Sequence, residues 1–229
     1  MSMNARVTAL FVALTIGGMI GGSRLAAQDT TARAKKGAVS KTASVADSVI
    51  PRADEGRTLG QPTTTLWLIE AGDFECAVCR TWHLETFPTI ERDYIRTGKI
   101  RFAFVNYPVA QHRFATVAAS AAMCAGAQQK FWPMHDSLYA QQAKWIATND
   151  PAGIFRDIAR GLKLDMKQWS DCFGNDRAGP LIQSDHDRLR DAGVHGTPSF
   201  FIGDRGLPGD PGWPALRAII DSVLAGRGR

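Results

Sequence analysis

The chain has 229 residues, 45% hydrophobic and 21% charged, with 27 basic and 22 acidic side chains and a net charge of +5. That composition excludes a chain disordered throughout and is enough for one full core or two small ones. No run of basic residues interleaves with aromatics, so the mild positive excess leaves no nucleic-acid footprint and no nucleic-acid partner is expected.

Residues 1–27, MSMNARVTALFVALTIGGMIGGSRLAA, place Arg6 before an apolar run from Val7 to Ile20 and end on small residues. The run is short for a membrane span, which needs about 20 residues, so it reads as a signal peptide cleaved after Ala27. A retained N-terminal membrane anchor is the alternative. Export would place the protein in the periplasm or another extracytoplasmic, oxidising compartment, and four cysteines, an even number, suit disulfides there. Residues 28–60 are rich in Ala, Ser, Thr and charge and lack aromatics; they read as a flexible polar linker ahead of one domain over residues 61–229.

From Gln61 the pattern changes. TTTLWLIEAG, between Pro62 and Gly72, suits a buried strand. A helical pattern runs from about Cys76 to Thr97 with Gly98 as its stop, and KIRFAFVNYP suits a second strand ended by Pro108. Strand, helix, strand is a βαβ unit, which predicts parallel pairing in a covered sheet and an α/β class. Residues 112–192 are helical in pattern, with Asp150 as an N-cap ahead of Pro151. SFFIG after Pro198 is a late strand with a short hairpin partner near Leu207, and a helix from about Trp213 to Ala225 closes the chain.

Two residues separate Cys76 from Cys79, at the junction of the first strand and its helix. A helix N-terminus presents unpaired N–H groups and positive partial charge, which stabilise a thiolate, so Cys76 would be the attacking sulfur and Cys79, one turn on, the resolving one. A metal-binding or delivery module is a competing reading: Cys76, Cys79 and His83 could present three ligands along a helical edge with His195 as a fourth. A purely structural disulfide at this spacing closes too small a loop to stabilise much.

LWLIEAGDFECAVC together with GVHGTPSFFIG resembles the thioredoxin superfamily, and the helical block between them, with CAGAQQKFWPMHDSLYAQQ, resembles its DsbA-like branch of thiol–disulfide oxidoreductases. The resemblance covers about residues 60–226 and implies a thioredoxin fold with an inserted helical subdomain. It implies a cis bond between Thr197 and Pro198 lying against the Cys76–Cys79 pair, with the Thr197 backbone free to pair with an extended substrate chain. It assigns Glu70, six residues before Cys76, to the partly buried acid that exchanges a proton with Cys79. It also suggests a structural disulfide between Cys124 and Cys172.

The implied function is an exported dithiol oxidase acting on reduced or unfolded protein substrates. A membrane redox partner of the DsbB or vitamin K epoxide reductase type would reoxidise it. No cofactor and no metal is expected, since the electrons reside on sulfur, and a monomer is expected. Reduction or isomerisation is the runner-up, although the 33-residue linker is too slight for an isomerase's dimerisation domain. Ala77 and Val78 replace the Pro and His of strongly oxidising relatives, which predicts a potential between about −270 and about −120 mV. Asp73 and Glu75 are expected to be exposed turn residues, His112, His135 and His186 to make local hydrogen bonds, and Trp82 and His83 to shape the rim of the site.

Overall fold

The computed structural model describes residues 53–227. The expected signal peptide, and residues 28–52 of the expected linker, lie outside the described residues. Five strands form one sheet in the order β1-β3-β2-β4-β5: β1 is Thr58–Leu59, β2 Trp67–Gly72, β3 Arg101–Asn106, β4 Ser199–Ile202 and β5 Arg205–Pro208. β2 and β3 are parallel, Leu68 opposite Phe102 and Glu70 opposite Phe104, and every other pairing is antiparallel. The helices are α1 (Ala77–Glu85), α2 (Phe87–Ile90), α3 (Ala115–Gly126), α4 (Phe131–Ala140), α5 (Gln142–Ile146), α6 (Ala152–Gly161), α7 (Met166–Gly174), α8 (Gly179–Asp191) and α9 (Trp213–Arg227), and Glu91–Ile95 is a π-helical turn. Helices α3 to α8 are inserted between β3 and β4, as the helical pattern of residues 112–192 requires.

Strand alternation sorts the sheet's two faces. Leu68, Phe102, Phe104, Phe200 and Ile202 pack with Trp82, Ile90, Leu216 and Ile220 in the main core. Ala71, Val105 and Phe201 meet Leu189 of α8 and Val194 on the other face. Glu70 shares the main-core face with Leu68, which is why a charged residue type is fully buried there.

Two expectations need correction. The single helix from Cys76 to Thr97 is broken, because Pro88 has no N–H to continue the ladder; α1 stops at Thr86, whose N–H reaches Trp82 O at 2.9 Å, and the chain restarts as α2 and the π-helical turn. Gly98 ends that run in the left-handed region at φ 74°. The linker also ends earlier than residue 60. Ala53 is buried, β1 pairs with β3, and the buried Arg57 guanidinium binds Asp185 of α8, with Nη2 3.0 Å from Oδ1. Asp185 further accepts from Asn106 Nδ2 at 3.1 Å and Arg188 Nη2 at 2.6 Å. Polar composition concealed this segment because its principal anchor is a buried, paired charge.

Cys124 of α3 and Cys172 of α7 form a disulfide with Cα atoms 5.7 Å apart, clamping two helices of the insertion. Trp169 on α7 strengthens the same junction by donating its indole N–H to Ala121 O at 3.2 Å. Among the described residues no helix is long and apolar enough to cross a membrane.

Candidate active site

Strand β2 delivers the chain through a turn to Cys76, the N-cap of α1, with φ −69° and ψ 120°. Its Sγ accepts the Cys79 N–H at 3.1 Å, the place a serine or aspartate oxygen takes in an ordinary cap, and its S–H donates to Thr197 O at 3.4 Å. Both cysteines are free and buried. The hydrogen bond from the Cys79 thiol, with the Cys79 N–H behind it, lowers Cys76 from an ordinary 9.0 to about 6, although burial and the Asp73 charge act against it. Cys79 is pushed well up by burial, by its bond to Cys76 and by the charge of Glu70.

Because the folded value of Cys76 lies below the ordinary one, its ionisation stabilises the reduced fold above that ordinary value, and the gain is lost as pH falls through about 6. The thiolate absorbance of the reduced protein is therefore expected to titrate with a midpoint near 6, in a transition that Cys76→Ser removes. A midpoint near 9 in the wild type would show that the cap does not hold a thiolate.

Beneath the pair, Glu70 is fully buried, and burial pushes its carboxyl up to about 8, with His135 working in the opposite direction. Its Oε2 lies 2.7 Å from Nε2 of His83, and its Oε1 has no hydrogen-bond partner. Burial pushes His83 down to about 3, so at neutral pH this contact is a hydrogen bond between a carboxylic acid and a neutral imidazole, not an ion pair. His83 and Trp82 thus belong to the core and not to the rim: Trp82 is wholly buried, and the His83 ring stacks on Tyr139 with centroids 5.0 Å apart. His83 faces Glu70 instead of the cysteines, and among the described residues no group of three His, Cys, Asp or Glu side chains is placed to hold a metal.

Asp73 is buried, not exposed. It accepts from Glu75 N at 2.7 Å and Val109 N at 2.8 Å, and its Oδ2 lies 2.7 Å from Nδ1 of His112. Those bonds tie the loop after β3 to the turn before Cys76, which is why a turn acid is drawn inside. Burial raises Asp73, and His112 and the two backbone donors oppose it. Glu75 is half-buried and its Oε2 accepts from Phe114 N at 2.5 Å. His195 is exposed, and Ala77 and Val78 lie exposed between the cysteines.

The Thr197–Pro198 peptide is cis. β4 begins at Ser199, opposite Ala71, so Thr197 stands just beyond the ladder, beside Cys76. Residues 192–201 and 206–209 line a cleft of about 360 Å³ along this loop. Helix α4 completes the site from outside the motif: Tyr139 donates its O–H to Asp73 O at 3.2 Å, and Gln142, just after it, donates Nε2–H to Phe74 O at 2.8 Å and Cys76 O at 3.0 Å. Tyr139 and Gln142 were not picked out by sequence reasoning, and His135 was expected only to bond locally; His135 and Tyr139, four apart on α4, share one helical face, and Gln142 opens α5.

A low thiol on a helix cap and a high thiol one turn inside it suit sulfur exchange, since the first attacks or leaves readily and the second holds its proton until needed. On a sheet of this order, that defines a protein thiol–disulfide oxidoreductase of the thioredoxin fold. The family model described as thioredoxin matches residues 52–222, and the chain belongs to that family. It is 28% identical over 173 residues to the probable disulfide bond formation protein D of Bacillus anthracis, covering 73% of this chain and 78% of that one. Its fold matches oxidised BdbD from Bacillus subtilis with a TM-score of 0.66 at 20% identity, covering 75% of this chain and 94% of that one. Wolbachia pipientis alpha-DsbA1 matches with the same score at 22% identity, over 74% and 91% of the two chains.

Proposed function

We propose that this enzyme is an extracytoplasmic dithiol oxidase working through Cys76 and Cys79. A substrate thiolate attacks the Cys76–Cys79 disulfide at Cys76, and Cys79 leaves as a thiolate and takes a proton from Glu70. The second substrate thiolate then attacks the substrate sulfur of the mixed disulfide and expels Cys76 as a thiolate. Two electrons pass from substrate to enzyme, and a disulfide of a membrane partner, of the DsbB or vitamin K epoxide reductase type, takes them away. Reduced or unfolded proteins are the substrates, held in extended form along the backbone of Thr197 beside Pro198. Residues 1–27 serve as the export signal, and the Cys124–Cys172 bridge is structural.

The observation that carries the oxidase direction is the Cys79 N–H cap on Cys76 Sγ at 3.1 Å, which stabilises the thiolate of the reduced state and so favours accepting electrons. The oxidised enzyme, mixed with a reduced protein that needs its disulfides to fold, is expected to oxidise it faster than it rearranges the same protein with scrambled disulfides. Faster rearrangement would replace this reading with the isomerase.

A further inference from the structure

The exchange chemistry moves one proton on and off Cys79 in each cycle, yet both Cys79 and Glu70 are sealed from water. A chain of contacts leads outward from Glu70. His83 Nε2 lies 2.7 Å from Glu70 Oε2 and 3.3 Å from His135 Nε2, and His135 Nδ1 lies 2.8 Å from Oδ1 of Asp136, whose side chain is 71% exposed. The Asp136 carboxylate accepts, so His135 carries its hydrogen on Nδ1 and turns a lone pair at Nε2 towards His83. Glu70 Oε2, His83 Nε2 and His135 Nε2 then converge with one proton among them. Phe74, Phe104, Trp132 and Tyr139 pack around the His135 ring and keep water out.

We propose that His83, His135 and Asp136 form a proton relay connecting Glu70, and through it the Cys79 thiol, to solvent. The proposal rests on the reading of Cys79 as the resolving thiol. On reoxidation, an external disulfide takes two electrons from the two cysteines, and the Cys79 proton passes to Glu70. Glu70 hands its own proton from Oε2 to His83 Nε2, which yields it to His135 Nε2, and His135 releases its Nδ1 proton to Asp136 and water. When the enzyme oxidises its next substrate, a proton enters at Asp136 and every hop runs backwards, which restores the His135 tautomer without a ring flip. A relay used once in each direction per cycle therefore resets itself.

The ionisable groups facing this path are Glu70 on β2, Cys79, Arg80 and His83 on α1, and His135, Asp136 and Tyr139 on α4. Asp73 lies below Tyr139, and Asp210, ahead of α9, acts on Glu70 through its charge. Both rings are held low by burial, His83 to about 3 and His135 to about 4, so neither stores a charge between turnovers.

The test is the rate at which dithiothreitol reduces the Cys76–Cys79 disulfide of the full chain, in water and in deuterium oxide, for wild type, Asp136→Asn, His135→Phe and Glu70→Gln. Asp136 is exposed, so Asp136→Asn leaves the core intact even if His135→Phe does not fold. Asp136→Asn is expected to slow reduction about tenfold at neutral pH and enlarge the solvent isotope effect, while the Cys76 thiolate transition stays near 6. In a Glu70→Gln background it should cost nothing further, because the relay acts only through Glu70. A wild-type rate in Asp136→Asn, or a full additive loss in the double variant, would overturn the relay while leaving the exchange reading intact. A wild type lacking a reversible Cys76–Cys79 couple would overturn both.

Discussion

Cys76→Ser is expected to lower catalysed oxidation of a reduced protein by at least about a thousandfold, to the uncatalysed rate. A hydroxyl in the cap position would still accept the Cys79 N–H, so the fold survives and the loss is chemical. Cys79→Ser separates the two sulfurs' roles. Cys76 keeps its helix terminus and stays nucleophilic, but no neighbouring thiol resolves the mixed disulfides it forms. Covalent adducts with substrate proteins should accumulate in Cys79→Ser, visible on non-reducing gels and cleared by reductant, and not in Cys76→Ser. Adducts on Cys79 in place of Cys76 would reverse the assignment. Burial argues against that reversal, since Cys79 is 0% exposed and Cys76 is 5% exposed at the mouth of the site.

The second large effect concerns stability. The Cys124–Cys172 bridge spans a sequence separation of 48, which in the loop-entropy description stabilises the fold by about 4 kcal/mol. The double variant Cys124→Ala, Cys172→Ala should therefore unfold at about 8–16 °C lower temperature than the oxidised wild type. Alanine is the better choice over serine, because both positions are almost wholly buried and a hydroxyl there would need a partner. The Cys76 thiolate transition should be unmoved, because the cap is held by the Cys79 N–H and Thr197 O, neither of which the bridge supplies. An unchanged melting temperature would mean that packing around Trp169 holds the two helices without the bridge.

Local pattern was enough for the elements that carry the chemistry. Trp67–Gly72 and Arg101–Asn106 are strands because apolar and β-branched residues run between Pro and Gly punctuation, and Cys76 caps a helix because it stands at the strand-to-helix junction. Thr197 and Pro198 were found from a family resemblance, and the chain's order of elements was consistent with it.

What the linear pattern could not supply was the environment of the charged residues. Alternation along β2 left the face of Glu70 open, and only packing against α1 and α4 seals it in. Asp73 reads as an exposed turn residue, Arg57 as part of a flexible linker and His135 as a local hydrogen-bonder, yet each is buried against partners 39, 128 and 52 positions away, His112, Asp185 and His83. A side chain's protonation depends on its neighbours in space, and those neighbours are brought together by contacts that local periodicity does not encode. The cysteine pair at a helix start could therefore be read from the Cys-Ala-Val-Cys stretch, whereas the buried path of acid and imidazoles beneath it exists only once α4 has folded over the sheet.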